Sequence, residues 1–376
     1  MKQHEFYSIA ILQRISIITV SCLYHMTPPE RQDLGKSWTF VERRDLEQDR
    51  ILYSDIASLS LPSSIIDAHT HSGTEDLIGE IPLDRLLHIK TLNNRRSCPV
   101  PELQKLHTTI FPNKTVDSIT FPFPYLETDI TRANTYLLRE TTSSETMFAL
   151  GNPLHINQTM DLITEHEPVV RGVKAYYDQI PKTETLDPEE GSIYQFFPKE
   201  LLSFLNNRSL PIMLHVPRTG GIGNLKTLQE VKEIASHFPK ISVILAHMGR
   251  CYNPYDFEGV ITDLSPHTNI YFESSMVDES KVFEIALQHI GPQRLLFGTD
   301  LPLSQVRFLR VLEGKKQITL SKQESYAMRI PQKPNVAIGM NVLYMTKALL
   351  QACNTCHISP EEKEYIFRNN ALRLIS

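Results

Sequence analysis

Eight short apolar runs recur along this chain from residue 64 onward, each bounded by polar or helix-patterned sequence. They are SIIDAHTH (64–71), VDSITFPFP (116–124), TMFALGNP (146–153), RGVKAYY (171–177), PIMLHVP (211–217), ISVILAHMG (241–249), NIYFESS (269–275) and RLLFGTD (294–300). Most are continuously apolar rather than alternating, which is the pattern of parallel strands buried on both faces. Between them the apolar spacing switches to three and four. In 224–239 Leu225, Leu228, Val231, Ala235 and Phe238 share a helix face that Pro239 closes, and in 280–292 Val282, Phe283, Ala286 and Ile290 do the same. A last helix starts at Ser359, where Pro360 and Glu362 complete a capping box. Eight such βα units predict an α/β chain folded as a (β/α)8 TIM barrel. A doubly wound open sheet is the alternative, weakened because no Gly-rich phosphate loop follows the first strand.

Two stretches break the repeat. Residues 74–114 are long for a βα loop; with Leu83, Leu86, Leu87, Leu103 and Leu106 they are expected to form helices that cover the barrel mouth. Residues 313–335 are polar and without regular spacing, and read as a long loop before a helix over 336–352. The expected organisation is an N-terminal extension over 1–60 and a barrel over 61–376, with its lid-like insertion at about 74–114. In the extension, Ile11, Leu12, Ile15 and Ile18 fit one face of a docked helix. The apolar run is too short to span a bilayer and is interrupted by Gln13 and Arg14, which argues against a leader or anchor.

The chain has 376 residues, 41% hydrophobic and 22% charged, with a formal charge of −5. No basic run points to nucleic acid or an anionic membrane. Five scattered cysteines make no disulfide framework and suggest a reducing, cytoplasmic setting. Cys353–His357 (CNTCH) matches a haem-attachment pattern, but no export signal accompanies it. Sequons at Asn113, Asn157 and Asn207 matter only in a secreted chain. Oligomeric state is not legible, and a homo-oligomer stays open.

The candidate chemistry sits where the strands end. His69 and His71 are two apart on the first strand, so their Cα atoms are roughly 6.6 Å apart on one face, and both imidazoles can reach one cation. His215 ends the fifth strand, His247 the sixth and Asp300 the eighth, while Lys174 lies in the fourth. In a barrel all of these face the C-terminal mouth, where barrel active sites are built. A buried group of imidazoles and a carboxylate is costly without an ion or full hydrogen bonding. Arg218 and Arg250, just beyond two of these strands, read equally as clamps for a substrate carboxylate or as ion-paired surface residues. Tyr176 is a further substrate-binding candidate; for it, as for Tyr177 and Glu273 near other strand ends, packing is the plainer role. His88, His107, His155, His237, His267 and His289 read as bystanders.

DAHTH, GVKAY, MLHVP, ILAHMG and LFGTDLP, with the C-terminal YIFRNNALRLI, resemble the amidohydrolase superfamily, in its amidohydrolase-related branch, over residues 64–376. That branch contains metal-dependent barrel hydrolases of C–N bonds, lactonases and non-oxidative decarboxylases. The resemblance implies a divalent metal on His69, His71, His215 and Asp300, zinc best, with manganese or iron the alternatives. It implies a metal-activated water attacking a small-molecule amide, lactone or ester, with Asp300 as general base and His247 as the donor to the developing oxyanion. In binuclear relatives a strand-four lysine is carboxylated and bridges two ions. Lys174 could do that or remain a plain ammonium, and a mononuclear site is the favoured reading. A decarboxylase on the same residues and a non-catalytic metabolite-binding barrel are the rival functions.

Overall fold

The structure, a computed structural model, describes residues 38–39, 43–82, 96–183, 187–321, 323–324 and 336–376. Its centre is a sheet of eight parallel strands in sequence order: β1 (Ser64–His71), β2 (Thr115–Phe121), β3 (Glu145–Leu150), β4 (Val170–Ala175), β5 (Ile212–Leu214), β6 (Val243–Leu245), β7 (Ile270–Glu273) and β8 (Leu295–Leu296). Each continuous apolar run of the sequence contributes one of them. The sheet curls until β1 meets the segment after β8. Ala68 N donates to Phe297 O at 2.9 Å, Asp300 N to His69 O at 2.7 Å and His71 N to Leu301 O at 2.7 Å. This (β/α)8 barrel therefore closes at the residues the sequence singles out.

A helix follows every strand. In order these are α2 (Val100–Ile110), α3 (Ile130–Glu140), α4 (Ile156–His166), α5 (Lys199–Arg208), α6 (Leu225–His237), α7 (Pro254–Leu264), α8 (Ser280–Ile290) and α9 (Asn341–Thr355), preceded by α1 (Arg43–Ser58). Side-chain caps fix several starts: Asn224 accepts from Lys226 N and Thr227 N, and Asn253 from Tyr255 N. Inside the barrel Ile66, Ile119, Met213, Ile244, Tyr271 and Leu296 fill the end away from the histidines. Ala371, Leu374 and Ile375 of α11 (Asn370–Ile375) plug that end. The expected capping box is present at α10 (Pro360–Glu364), where Ser359 Oγ accepts from Glu362 N and the Glu362 side chain from Ser359 N. A π-helical turn, Tyr365–Asn369, joins α10 to α11 and frees Ile366 O to accept from Phe297 N at 2.9 Å.

Three expectations change. Within 313–335, read as irregular, Lys316–Ser321 is a strand, β10, paired with β9 (Phe308–Glu313) in an antiparallel hairpin. Its signal is Gly314, whose φ of +64° allows a two-residue connection, together with the cross-strand pairs Leu309–Leu320 and Val311–Ile318. The helix expected from 336 starts at Asn341, because Ile338 and Met340 give their N–H groups to Asp45 and Asp49 of α1. Leu103 and Leu106, expected in a lid, lie on α2, the ring helix between β1 and β2, and Leu103 is fully buried in the outer core. Leu83, Leu86, Leu87 and the helix expected around Ile11–Ile18 lie outside the described residues.

The haem pattern fails on packing. Cys353 is wholly buried in α9 and burial pushes its thiol up to about 12, so it cannot reach a porphyrin edge. Cys98 and Cys251 are buried too, and Cys356 is partly exposed. Iodoacetamide on the native protein is expected to alkylate Cys356 and to spare Cys98, Cys251 and Cys353 until denaturant is added, as read by peptide mass spectrometry. Among the described residues no helix is long and apolar enough to cross a membrane.

Candidate metal centre

The sequence alternation puts Asp67, His69 and His71 on one face, but β1 carries a bulge between Asp67 and Thr70 that breaks it. Ile66 and Ala68 point into the barrel, so Asp67 points out. There Asp67 Oδ1 accepts from Thr299 N at 2.8 Å and from His69 N at 3.2 Å. Its Oδ2 lies 3.0 Å from His107 Nε2 on α2. His107 is thus no solvated bystander: with Asp67 it ties the ring helix to the chain beside both His69 and Asp300. Beyond the bulge the phase has shifted, and the His69 and His71 rings both pack on Phe121 inside the barrel.

His69, His71 and Asp300 are buried, and one ligand atom from each lies within 4.8 Å of the others. His69 Nδ1 is 2.9 Å from Glu273 Oε2, and His71 Nδ1 is 3.2 Å from Pro122 O. A carbonyl or carboxylate only accepts, so both Nδ1 atoms carry the proton and both Nε2 atoms present lone pairs. Those lone pairs face Asp300 Oδ1, at 3.3 and 3.1 Å. That oxygen is buried and makes no hydrogen bond. Burial pushes both imidazoles below their ordinary range. Burial also raises the Asp300 carboxyl, but the charged forms of His69, His71 and His247 would lower it more, so its net direction is below the usual carboxylate range. Two imidazole lone pairs and an unbonded carboxylate oxygen converging out of water fit a divalent cation.

The other sequence candidates surround this cluster. Lys174 Nζ is 3.0 Å from His69 Nε2 and 4.4 Å from the centre of the Phe121 ring, and burial lowers its ammonium to about 8. The His247 ring stacks on His69 at 4.9 Å, and its Nδ1 is 2.8 Å from Ser275 Oγ. His215 stands outside the His69–His71–Asp300 set. Its ring meets His247 at 5.1 Å and Tyr176 at 4.4 Å, and its buried Nδ1 has no partner. Tyr176 stacks on Tyr177 at 4.5 Å. Arg218 holds Glu230 in a bidentate pair at 2.9 and 3.0 Å, so the ion-paired reading is the one its geometry displays. Arg250 donates to Val216 O at 2.9 Å and lies over the Tyr177 ring.

The backbone under these groups is unusual. His247, Met248, Gly249 and Arg250 all have left-handed φ, at 56°, 53°, 67° and 57°. A left-handed turn costs roughly 1–2 kcal/mol per non-glycine residue, so surrounding contacts must hold it. Gly221 is one such contact, since a Cβ there would overlap Gly249 O. Gly221→Ala is therefore expected to destabilise the fold by about 1–3 kcal/mol, measured as a lower denaturant midpoint with an unchanged slope.

Glu273 is the residue the sequence reading undervalued. It ends β7 as the histidines and Asp300 end theirs, and an acid closing an apolar strand was the available signal.

The amidohydrolase family model matches residues 146–376, well over half of the chain. This chain belongs to the amidohydrolase family. The matched span holds Lys174, His215, His247, Glu273 and Asp300, and the His69–His71 strand precedes it. An amidohydrolase from Burkholderia multivorans is similar in fold. Its crystal structure with bound HEPES gives a TM-score of 0.55 at 11% identity, over 83% of this chain and 98% of that one. Its structure with bound zinc gives 0.52 at 13% identity, over the same 83% and 98%. A 2,6-dihydroxybenzoate decarboxylase from Rhizobium matches at a TM-score of 0.48 and 16% identity, over 84% of this chain and 99% of its own. No curated protein matches the chain. The chain is thus an enzyme of the amidohydrolase type, and its buried His/Asp cluster supports a divalent metal.

Proposed function

We propose that the chain hydrolyses a small-molecule amide, lactone or ester at this centre, using a single divalent cation. The observation that carries the reading is the convergence of the His69 and His71 Nε2 lone pairs, the former also 3.0 Å from Lys174 Nζ, on the unbonded Asp300 oxygen. His69, His71 and Asp300 would hold the ion, and His215, whose Nδ1 has no protein partner, is the fourth donor that the family resemblance implies. Zinc suits nitrogen and carboxylate donors best. When bound, the cation supplies Lewis acidity towards a carbonyl and towards water.

The chain's own groups do the rest. Asp300, whose carboxyl lies below the usual range, accepts the proton of the attacking water and returns it to the leaving group. The single Ser275 hydroxyl proton points to Glu273 Oε2 at 2.8 Å, so His247 Nδ1 donates to Ser275 and Nε2 is bare. His247 therefore acts first as a proton acceptor, and donates to a developing oxyanion only once protonated. Burial of the whole cluster excludes bulk water and strengthens each of these interactions.

Decarboxylation is the rival on the same residues, with Lys174 as a buried acid whose pKa is brought to about 8. The test is turnover of a panel of lactones, esters, amides and aromatic acids by the zinc-loaded chain in ¹⁸O-water. Hydrolysis predicts one ¹⁸O in the released acid. Release of carbon dioxide with no label in the remaining product would replace the hydrolase with a lyase.

A further inference from the structure

Glu273 carries no chemistry in the scheme above, yet it is among the most constrained side chains of the molecule. It is completely buried, and its ion-pair partner within 4 Å among the described residues is an imidazole, not a lysine or arginine. Four donors close on its two oxygens. Oε2 accepts from His69 Nδ1 at 2.9 Å, Ser275 Oγ at 2.8 Å and His247 N at 3.2 Å, and Oε1 accepts from Ser275 N. The carboxylate has room only because residue 298 is glycine, whose missing Cβ would overlap Oε1. A buried carboxylate without a permanent cation is costly, so its donors must be held in place. Two of them belong to the residues whose positions matter most: the His69 ring, and the backbone N–H at the start of the left-handed turn that delivers His247.

We propose that Glu273 is a positioning residue that sets the His69 tautomer and, through the His247 N–H and Ser275, aims both imidazoles of the centre. The proposal rests on the metal-site reading above and deepens it. His69, His247 and Glu273 also lie close enough together to share an ion, but the role assigned to Glu273 is to accept, with three donors on Oε2 and one on Oε1. It holds the proton on His69 Nδ1, which leaves the Nε2 lone pair turned to the site. It also holds Ser275, whose hydroxyl takes the Nδ1 proton of His247 at 2.8 Å. A carboxylate behind a ligating histidine raises that ligand's basicity and fixes its ring, and removing such partners weakens metal binding 10–100-fold as a typical magnitude.

Glu273→Gln tests this, because the amide keeps the shape and must turn an NH₂ towards at least one existing donor. The probe is Co²⁺, titrated into the metal-free full-length chain against a chelator, with its visible ligand-field spectrum recorded. The expected result is an affinity about 10–100-fold weaker than wild type and a shifted spectrum, a signature that loss of stability alone would not produce. Ser275→Ala should move both readouts the same way by less, and it decides the matter if Glu273→Gln does not fold. Wild-type affinity and spectrum in Glu273→Gln, or in Ser275→Ala where the first is unfolded, would overturn the proposal. If the wild-type chain takes up no Co²⁺, the metal-site reading itself fails and the proposal with it.

Discussion

Asp300→Asn is expected to lower turnover by about 10²–10⁴-fold, the range associated with loss of a general base, and to weaken metal binding as well. The substitution isolates the chemistry from the fold. Asp300 sits at φ +62°, and asparagine is among the few residues that tolerate left-handed backbone. Its N–H still reaches His69 O at 2.7 Å, and its carbonyl still accepts from Ser304 N at 3.1 Å. The change is confined to the side chain, where an ionised acceptor becomes a neutral amide facing two imidazole nitrogens. The apo variant should melt slightly below the wild-type temperature, since a carboxyl held below its ordinary range is one whose ionised form the fold stabilises. Steady-state rates on the best substrate of the panel, with melting curves of both apo proteins, check both halves. A variant within a few-fold of wild type would remove Asp300 from the chemistry.

Arg307→Ala is expected to produce the largest loss of stability, about 3–5 kcal/mol, the range for breaking a buried ion pair from one side. Arg307 is 5% exposed and Asp49 is 6% exposed. The guanidinium grips Asp49 in bidentate fashion at 2.6 and 3.1 Å and donates to Ile338 O at 3.0 Å. Asp45 and Asp49 in turn accept from Ile338 N and Met340 N, both at 2.9 Å. One arginine therefore joins α1, the segment after β8 and the entry to α9. Alanine leaves the Asp49 carboxylate buried with its backbone donor alone. The paired substitution Arg307→Met with Asp49→Leu removes both charges and should recover most of the loss. Denaturant melts of wild type, single and double variants measure it, and limited proteolysis should cut first within α1 of the single variant.

The barrel was legible because a parallel strand buried on both faces has to be apolar throughout, so eight such runs announce themselves even where the final strand pairs through only two residues, Leu295–Leu296. The centre was legible for the complementary reason: an apolar strand that ends in His, Lys or Asp pays desolvation for that residue, and function is the usual return. The bulge in β1 was not legible, since no glycine marks it and the alternation reads unbroken through Asp67. The Asp67–His107 link follows from that phase shift and was hidden with it. Glu273 was discounted because one acid near a strand end looks like packing until the four donors around it are seen. The β9–β10 hairpin was missed because its alternation is weak and a single glycine carries the turn. His215 shares the strand-end pattern of its neighbours, yet pattern alone could not show that its ring meets those of His247 and Tyr176.

The most direct measurement is metal content, by mass spectrometry, of the purified chain and of His71→Ala after both are equilibrated with zinc and passed through a desalting column. The account predicts about one zinc per wild-type chain, as expected of a single four-donor site, and near-complete loss in His71→Ala with the fold retained by circular dichroism. A wild-type chain that emerges metal-free, or a variant that keeps its zinc, would contradict it.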